Sequence, residues 1–128
     1  MGRTASTWVL RDRVGALSSP GSPLGMIATR PGPEPGRGDV GYWLGRPFWG
    51  KGVMKEALSA LLDLCFGDLD MAKIEAEVFV SNSRSSRLVE SLGMRKEGTI
   101  RRAHRKGDRW VDVDIYGLLA EEWRDRRG

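Results

Sequence analysis

A glycine-rich stretch, GRPFWGKG at residues 45–52, is the first feature of the chain that suggests chemistry. Gly45, Gly50 and Lys51 have the G-x-x-x-x-G-K spacing of an ATP-binding P-loop, but the Ser or Thr that should follow to help hold Mg²⁺ is replaced by Gly52. A dinucleotide-binding fingerprint is also absent, because no third glycine follows at the required distance. The stretch therefore predicts either an anion site of another kind or a strand-to-helix turn that needs glycine.

Three side chains elsewhere are candidates for chemistry by their type. Cys65 lies on an apolar helical stripe with no histidine or cation near it in sequence, so we predict a core residue rather than a nucleophile. His104 is the only histidine; it is either a surface residue or a general base, since histidine titrates near neutral pH. Ser85 shares a helical stripe with Val89 and Leu92, where an N-cap or packing role is the simplest interpretation.

The hydrophobic periodicity predicts the element order β-β-β-α-β-α-β-β, followed by a polar tail, AEEWRDRRG. The predicted segments, in chain order, are TWVLRDRV, LGMIAT, DVGYWLG, a helix after the glycine loop, KIEAEVFV, NSRSSRLVESLG, and the hairpin strands RKEGTIRRAHR and RWVDVDIYGLL. Strands alternate with helices only in the middle of the chain. This order predicts a mixed α+β layer structure rather than a doubly wound sheet.

Two amphipathic helices and one alternating strand supply the predicted core. The first helix has an apolar stripe and ends at Gly67, and the second begins at Asn82 or Ser83 and ends at Gly93. The stripes are Met54, Leu58, Leu61, Leu62 and Cys65 in the first helix, Ser85, Leu88, Val89 and Leu92 in the second, and Ile74, Ala76, Val78 and Val80 in the strand.

Length and composition set limits on the class of protein. The chain has 128 residues, 40% of them hydrophobic, which predicts one globular domain over residues 1–128. A single cysteine excludes an internal disulfide and a cysteine metal cluster, and we predict no metal site. No apolar run approaches the length of a membrane span, and the first residues show no secretory signal. We therefore expect a cytoplasmic protein with no membrane partner.

Positive charge is concentrated near the predicted hairpin. The formal net charge is +4, and a basic cluster surrounds the single acid Asp108. The cluster consists of Arg101, Arg102, Arg105, Lys106 and Arg109. It is a solvated hairpin, or a contact for an acidic acceptor or RNA; nucleic acid is disfavoured because no RNA-recognition motif is present and aromatic residues are not interleaved with the cluster. We predict that the tryptophans Trp43, Trp49, Trp110 and Trp123 are packing residues.

Several blocks of the sequence, in order, resemble the GNAT N-acetyltransferases, in particular the RimJ/RimL branch that acetylates protein N-termini. The blocks are DVGYWLGRPFWGKGVMKEAL, KIEAEVFVSNSRSSRLVESLGMRKEG and DIYGLLAEEW, within residues 38–123. The superfamily's loop pattern is Q/R-x-x-G-x-G/A; here Pro47 stands at its first place, after Arg46, in the W-G-K-G form of this branch.

The resemblance implies a mixed, mostly antiparallel sheet flanked by helices. Relatives carry one more strand and one or two helices before the region matching TWVLRDRV, so we expect an N-terminally short member in which residues 1–37 are the least certain part. A sheet without those elements exposes an edge and an apolar face, which predicts a homodimer.

The resemblance also implies a set of site residues with acetyl-CoA as the acetyl donor. The cofactor would contact Trp49 and lie on the backbone N–H groups of Gly50, Lys51, Gly52, Val53 and Met54. A backbone N–H of Trp43 or Leu44 would hold the oxyanion. Asn82 and Ser85 would face the pantetheine arm, with Ser85 donating to the departing thiolate, while Ser86 points elsewhere.

For the general base, the resemblance implies His104, with Glu97, Glu75 and Glu77 as rivals. The acceptor would be a primary amine, with a protein N-terminus favoured. The alternatives are a non-catalytic CoA-binding module or degenerate acetyltransferase, and a domain that binds RNA or an acidic partner.

Overall fold

A computed structural model of the protein describes residues 6–12, 22–44 and 52–127. It contains six strands and three helices within these ranges. The strands are β1 (Ser6–Asp12), β2 (Ser22–Pro31), β3 (Arg37–Leu44), β4 (Lys73–Phe79), β5 (Arg95–Lys106) and β6 (Arg109–Leu119), and the helices are α1 (Val53–Phe66), α2 (Ser83–Ser91) and α3 (Ala120–Arg127).

All six strands form one sheet in the order β1-β2-β3-β4-β6-β5. Four of the five pairings are antiparallel, and β3 pairs with β4 in parallel. The parallel pairing needs a crossover connection, and α1 lies in the chain between the two strands. It returns the chain to the end of the sheet at which β3 begins, so β4 runs in the same direction. The predicted mixed, mostly antiparallel α+β fold is confirmed.

The pairing of β3 with β4 is short. It runs from Arg37 opposite Lys73 to Val40 opposite Ala76, although β3 continues to Leu44 and β4 to Phe79. Beyond this ladder β3 remains paired only with β2, and β4 only with β6. The two strands therefore separate, and the sheet opens between residues 41–44 and residues 77–79.

The helices pack against one face of the sheet. The predicted stripe of α1 is buried, and the backbone N–H of Gly67 closes the helix by donating to Asp63 O at 2.9 Å. The stripe joins a core that includes the predicted inward strand residues Ile74, Ala76 and Val78. Because these residues alternate along β4, Glu75 and Glu77 lie on the opposite face.

The polar tail of the sequence prediction is wrong, because residues 120–127 form α3. Trp123 anchors this helix: it is buried in the core, and its Nε1 donates to Asp63 Oδ1 at 2.8 Å. The prediction that Val80 continues the buried stripe is also wrong, since β4 ends at Phe79 and Val80 is exposed. A single large apolar residue gave too weak a periodic signal to predict the third helix.

The tryptophans do not behave alike. Trp123 packs as predicted, but Trp43 is 63% exposed and Trp110 is 53% exposed, so the packing prediction is wrong for those two. Trp49 lies outside the described residues.

The predicted hairpin is confirmed, with β5 and β6 joined at Gly107, and the basic cluster on it is exposed. Among the described helices, none has the length and apolar character needed to cross a membrane.

Candidate functional site

A cavity of about 640 Å³ opens where β3 leaves β4. It lies between the end of β3 and the first turns of α1 and α2. Its described lining residues are Tyr42, Trp43, Gly52, Val53, Met54, Lys55, Ser81, Asn82, Ser83, Arg84, Ser85, Arg87 and Leu88. The charged residues in this set are all cations, which gives the cavity a positive potential suited to an anionic ligand.

Gly52 forms the N-cap of α1 and lines the cavity. Its φ of 75° lies in the left-handed region, and it provides no side-chain cap. The N–H groups of the first helical turn have no acceptor within the helix, so they are available to a ligand at this end. A Cβ at Gly52 would meet no described atom within 4 Å, which leaves room for a ligand to approach the backbone.

The second helix also begins at the cavity. Asn82 is its N-cap, and the carboxamide Oδ1 accepts a hydrogen bond from the backbone N–H of Ser85 at 3.1 Å. Asn82 therefore has a structural role in addition to its place on the cavity wall. Ser85 is only 9% exposed and directs its hydroxyl toward β3.

Tyr42, which the sequence analysis did not single out, meets Ser85 across the cavity. The two hydroxyl groups are directly hydrogen-bonded. Burial raises the pKa of the Tyr42 phenol above its ordinary value, so the phenol stays protonated. A sequence signal for Tyr42 was available: it is a residue with a polar tip, and the strand alternation places it on the same face of β3 as Val40.

The structure brings most of the predicted ligand-binding positions together. Six of them line this one cavity: Trp43, Gly52, Val53, Met54, Asn82 and Ser85. Leu44 is the last residue of β3, beyond the ladder with β4. Trp49, Gly50 and Lys51 lie outside the described residues.

His104 is not among the described residues that line this cavity. Its Nε2 lies 3.0 Å from Glu77 Oε1, and its ring meets Phe79 edge-on with 6.1 Å between centroids. Because Glu77 is on the face opposite the helices, His104 and Ser85 lie on opposite faces of the sheet. An acceptor reaching both would have to enter through the gap between β3 and β4.

The other predicted rivals for the base are held in ion pairs. Arg37 Nη2 lies 2.6 Å from Glu75 Oε1, and Lys73 Nζ lies 2.6 Å from Glu97 Oε1. The hydrogen bond and charge of Glu75 raise the pKa of Arg37 above its ordinary value. Both carboxylates thus have cationic partners that hold them in place.

Cys65 is 0% exposed and belongs to the core, as the sequence predicted. Burial raises the pKa of its thiol above the ordinary value. A buried thiol held in its neutral form is a poor nucleophile, so Cys65 is unsuited to forming a covalent intermediate.

The chain has relatives among known proteins. A model of the acetyltransferase (GNAT) domain family matches residues 2–95. An uncharacterised N-acetyltransferase, p20 of Bacillus licheniformis, is 41% identical over 90 residues, which cover 70% of this chain and 51% of that protein. The chain thus spans about half the length of this curated relative.

Solved structures of acetyltransferases share the fold. A GNAT-family acetyltransferase from Bacillus anthracis superimposes with a TM-score of 0.74 at 27% identity, covering 79% of this chain and 61% of that one. The spermidine/spermine N-acetyltransferase SpeG of Vibrio cholerae superimposes with a TM-score of 0.85 over 98% of this chain and 73% of that one. At 20% identity, the second match establishes a likeness of fold alone.

Proposed function

Because this chain belongs to the GNAT acetyltransferase family, we propose that its cavity binds acetyl-CoA and that the protein transfers the acetyl group to a primary amine. The observation that carries the proposal is the cavity itself. It lies at the N-termini of two helices, its described charged residues are all cations, and it opens beside the gap in the sheet.

The residues present fit the anionic part of CoA. Gly52 leaves its backbone accessible, and the first turn of α1 presents N–H groups that favour a diphosphate. Lys55, Arg84 and Arg87 add positive charge to the walls. We therefore assign phosphate binding to the first turn of α1, together with the glycine loop before it.

The gap between β3 and β4 supplies the donors for the reacting end. In a strand, every second residue directs its backbone N–H and C=O toward the same neighbour, and β3 lacks the β4 neighbour beyond Val40. Arg37 O accepts from Gly32 N on the β2 side, whereas Gly36 O accepts from Lys73 N on the β4 side. By the strand alternation the N–H of Trp43 therefore faces β2, and we propose that the N–H of Leu44, which faces the gap, holds the negative charge that develops on an acetyl oxygen. Ser85 donates its hydroxyl hydrogen toward sulfur on the other side.

Bound acetyl-CoA supplies an activated thioester, so the protein's task is positioning and control of charge. The buried Cys65 favours direct transfer in a ternary complex over a covalent route. For the base we retain His104, whose Nε2 lies 3.0 Å from Glu77 Oε1, because imidazole is the side chain best suited to general-base catalysis at neutral pH.

We propose a protein or peptide N-terminal α-amine as the acceptor. An α-amino group with a pKa of about 7.7–8.0 is roughly 10% neutral at pH 7, whereas a lysine near 10.4 is neutral in less than about 0.1% of molecules. An α-amine therefore demands less of a base that is half exposed. Small amines, including polyamines, are the second acceptor class. The spermidine/spermine N-acetyltransferase that shares this fold acts on such amines.

A homodimer remains part of the proposal. Met26 and Trp43 are opposite each other in the β2–β3 ladder, and both are exposed on the face away from the helices. Such neighbouring apolar side chains favour self-association. Light scattering over a wide concentration range tests this, and a constant monomer mass would refute it.

Two measurements test the proposed function. Calorimetry with CoA, acetyl-CoA and ATP–Mg²⁺ should show CoA binding with a Kd on the order of micromolar and no preference for ATP–Mg²⁺. Arg87→Ala should weaken CoA binding, while Arg109→Ala, an exposed arginine outside the cavity, should not.

The second measurement is a mass-spectrometric screen of acetyl transfer to peptides, lysines, polyamines and small amines. Transfer to peptide N-termini supports the full proposal, and transfer to polyamines alone replaces the acceptor. CoA binding without transfer to any amine would identify a non-catalytic CoA-binding module.

A further inference from the structure

We propose that Tyr42 is a positioning residue that acts through Ser85. Its phenol donates to Ser85 Oγ and thereby leaves the hydrogen of Ser85 directed into the cavity, where it stabilises the thiolate of CoA. This inference rests on the proposed function and assigns to it a residue that does not itself touch the reacting atoms.

The direction of the Tyr42–Ser85 hydrogen bond follows from acidity. Either hydroxyl can donate in this geometry, but a phenol is a much stronger acid than an alcohol and hence the better donor. Burial keeps Tyr42 in its neutral form because it raises the pKa of the phenol, so the donor is present across the neutral pH range. Ser85 has one hydroxyl hydrogen, and accepting from Tyr42 leaves that hydrogen unused.

Two serines of the same helix show what Ser85 would do without Tyr42. Ser86 Oγ donates back to Asn82 O at 3.2 Å, and Ser91 Oγ donates to Leu88 O at 2.6 Å. Such bonds to the preceding turn are the common alternative for serine in a helix. Ser85 makes no such bond within the described part of the chain, and its hydroxyl instead meets Tyr42.

The hydroxyl hydrogen of Ser85 can then stabilise the thiolate leaving group. As the amine nitrogen bonds to the acetyl carbon, the carbon–sulfur bond breaks and its electron pair stays on sulfur. The proton lost by nitrogen balances the one that sulfur finally carries, so the products are an amide and a thiol. Until then the negative sulfur needs a donor, and Ser85 Oγ–H supplies it.

The variant that tests this role is Tyr42→Phe, with Tyr116→Phe as its matched control. Tyr116 has a buried ring, and its hydroxyl donates to Glu90 Oε2 at 3.2 Å, outside the described lining of the cavity. Ser85→Ala should lower kcat by roughly ten- to a hundredfold, the scale of a hydrogen bond to a charged atom. Tyr42→Phe should lower kcat by about tenfold, whereas Tyr116→Phe should leave kcat unchanged. The affinity for acetyl-CoA should be unchanged in all three variants.

The double variant Tyr42→Phe/Ser85→Ala separates a shared role from two independent ones. If Tyr42 acts through Ser85, the double variant should be no slower than Ser85→Ala alone. Multiplied losses would mean that Tyr42 acts independently, and the proposal would fail.

A second readout does not depend on turnover. A site that stabilises the thiolate lowers the pKa of the bound CoA thiol, so CoA should gain affinity relative to acetyl-CoA as the pH rises from about 6 toward about 8.5, the ordinary thiol range. Both ligands carry the same phosphates, so the ratio of their Kd values isolates the thiol. The charged residues of the described lining, Lys55, Arg84 and Arg87, face both ligands alike, so their contribution to the phosphates cancels in the ratio.

This ratio should depend on pH in the wild type and in Tyr116→Phe, and should become nearly flat in Ser85→Ala and Tyr42→Phe. A flat ratio in the wild type would overturn the proposal even if Tyr42→Phe failed to fold. If CoA binds and acetyl transfer occurs while Tyr42→Phe behaves as wild type, this inference alone fails. If no CoA binds, the proposed function fails with it.

Discussion

Gly52 shows how one residue can serve both backbone geometry and ligand charge. Its left-handed φ favours glycine, with asparagine and aspartate as the next best tolerated types. Its position at the start of α1 also places any added side chain beside the expected phosphates. Substitutions at this position can therefore separate strain from charge.

Gly52→Asp should weaken CoA binding by about tenfold or more relative to Gly52→Asn, equivalent to about 1.4 kcal/mol. The two side chains have nearly the same shape, and only the aspartate opposes a phosphate. Calorimetry at low salt measures the difference. Equal affinities of the two variants would show that no phosphate lies at this helix end.

His104 provides a second test at single-residue scale. If its imidazole takes the amine proton, His104→Ala should lower kcat/KM by about 10²–10⁴-fold and remove an ionisation from the acid side of the pH profile. Glu77→Gln should cause a smaller loss, because it removes only the partner at 3.0 Å. A change of a few-fold, with the pH profile intact, would make His104 a surface residue.

Among the elements, α2 has the closest link between stability and the site. Its first turn is held by the N-cap hydrogen bond that the backbone N–H of Ser85 donates to Asn82 Oδ1. The cap and the cavity wall are thus the same few residues. A change there can alter the free energy of unfolding, ligand affinity, or both.

Asn82→Ala should lower the free energy of unfolding by about 1 kcal/mol, since alanine cannot accept the Ser85 N–H. Asn82→Asp should retain most of the stability because aspartate is also a good N-cap, yet it should weaken CoA binding by placing an anion in a cationic cavity. Denaturant unfolding and calorimetry measure the two effects. A fully stable Asn82→Ala protein would contradict the capping role.

The same elements show what the sequence could predict. The stripe of α1 and the alternation of β4 up to Val78 follow from periodicity, and both were predicted correctly. The contact between Tyr42 and Ser85 joins residues 43 positions apart, and a local pattern carries no information about such a pair. Likewise, α3 depends on Trp123 reaching Asp63 on another helix, a tertiary contact that outweighs a weak local signal.

For the whole molecule, two acids whose pKa is raised by burial contribute to the response of stability to alkali. Burial raises the pKa of Cys65 and of Tyr42 above the ordinary values of 9.0 and 10.0. A group whose folded pKa is raised contributes stability that is fully present below the unfolded pKa and is lost as the pH rises through the folded pKa. The free energy of unfolding should therefore fall above about pH 9.

Denaturant unfolding at pH 7, 8, 9 and 10 checks this expectation. Cys65→Ala should be less stable at pH 7 by about 1 kcal/mol, because it removes a buried side chain, but its stability should fall less between pH 8 and 10. An equally steep fall in the variant would show that Cys65 does not contribute to the alkaline loss.

The short ladder between β3 and β4 has a further consequence for local opening of the sheet. Four residues on each strand join an antiparallel half made of β1, β2 and β3 to a second made of β4, β5 and β6. Local opening at this joint should appear in hydrogen–deuterium exchange as fast exchange of the amides that point into the gap, while the amides of the ladder between β4 and β6, inside the sheet, stay protected. A ligand that contacts the walls on both sides would stabilise the closed sheet. A higher ligand concentration would therefore make local opening of the two halves less frequent.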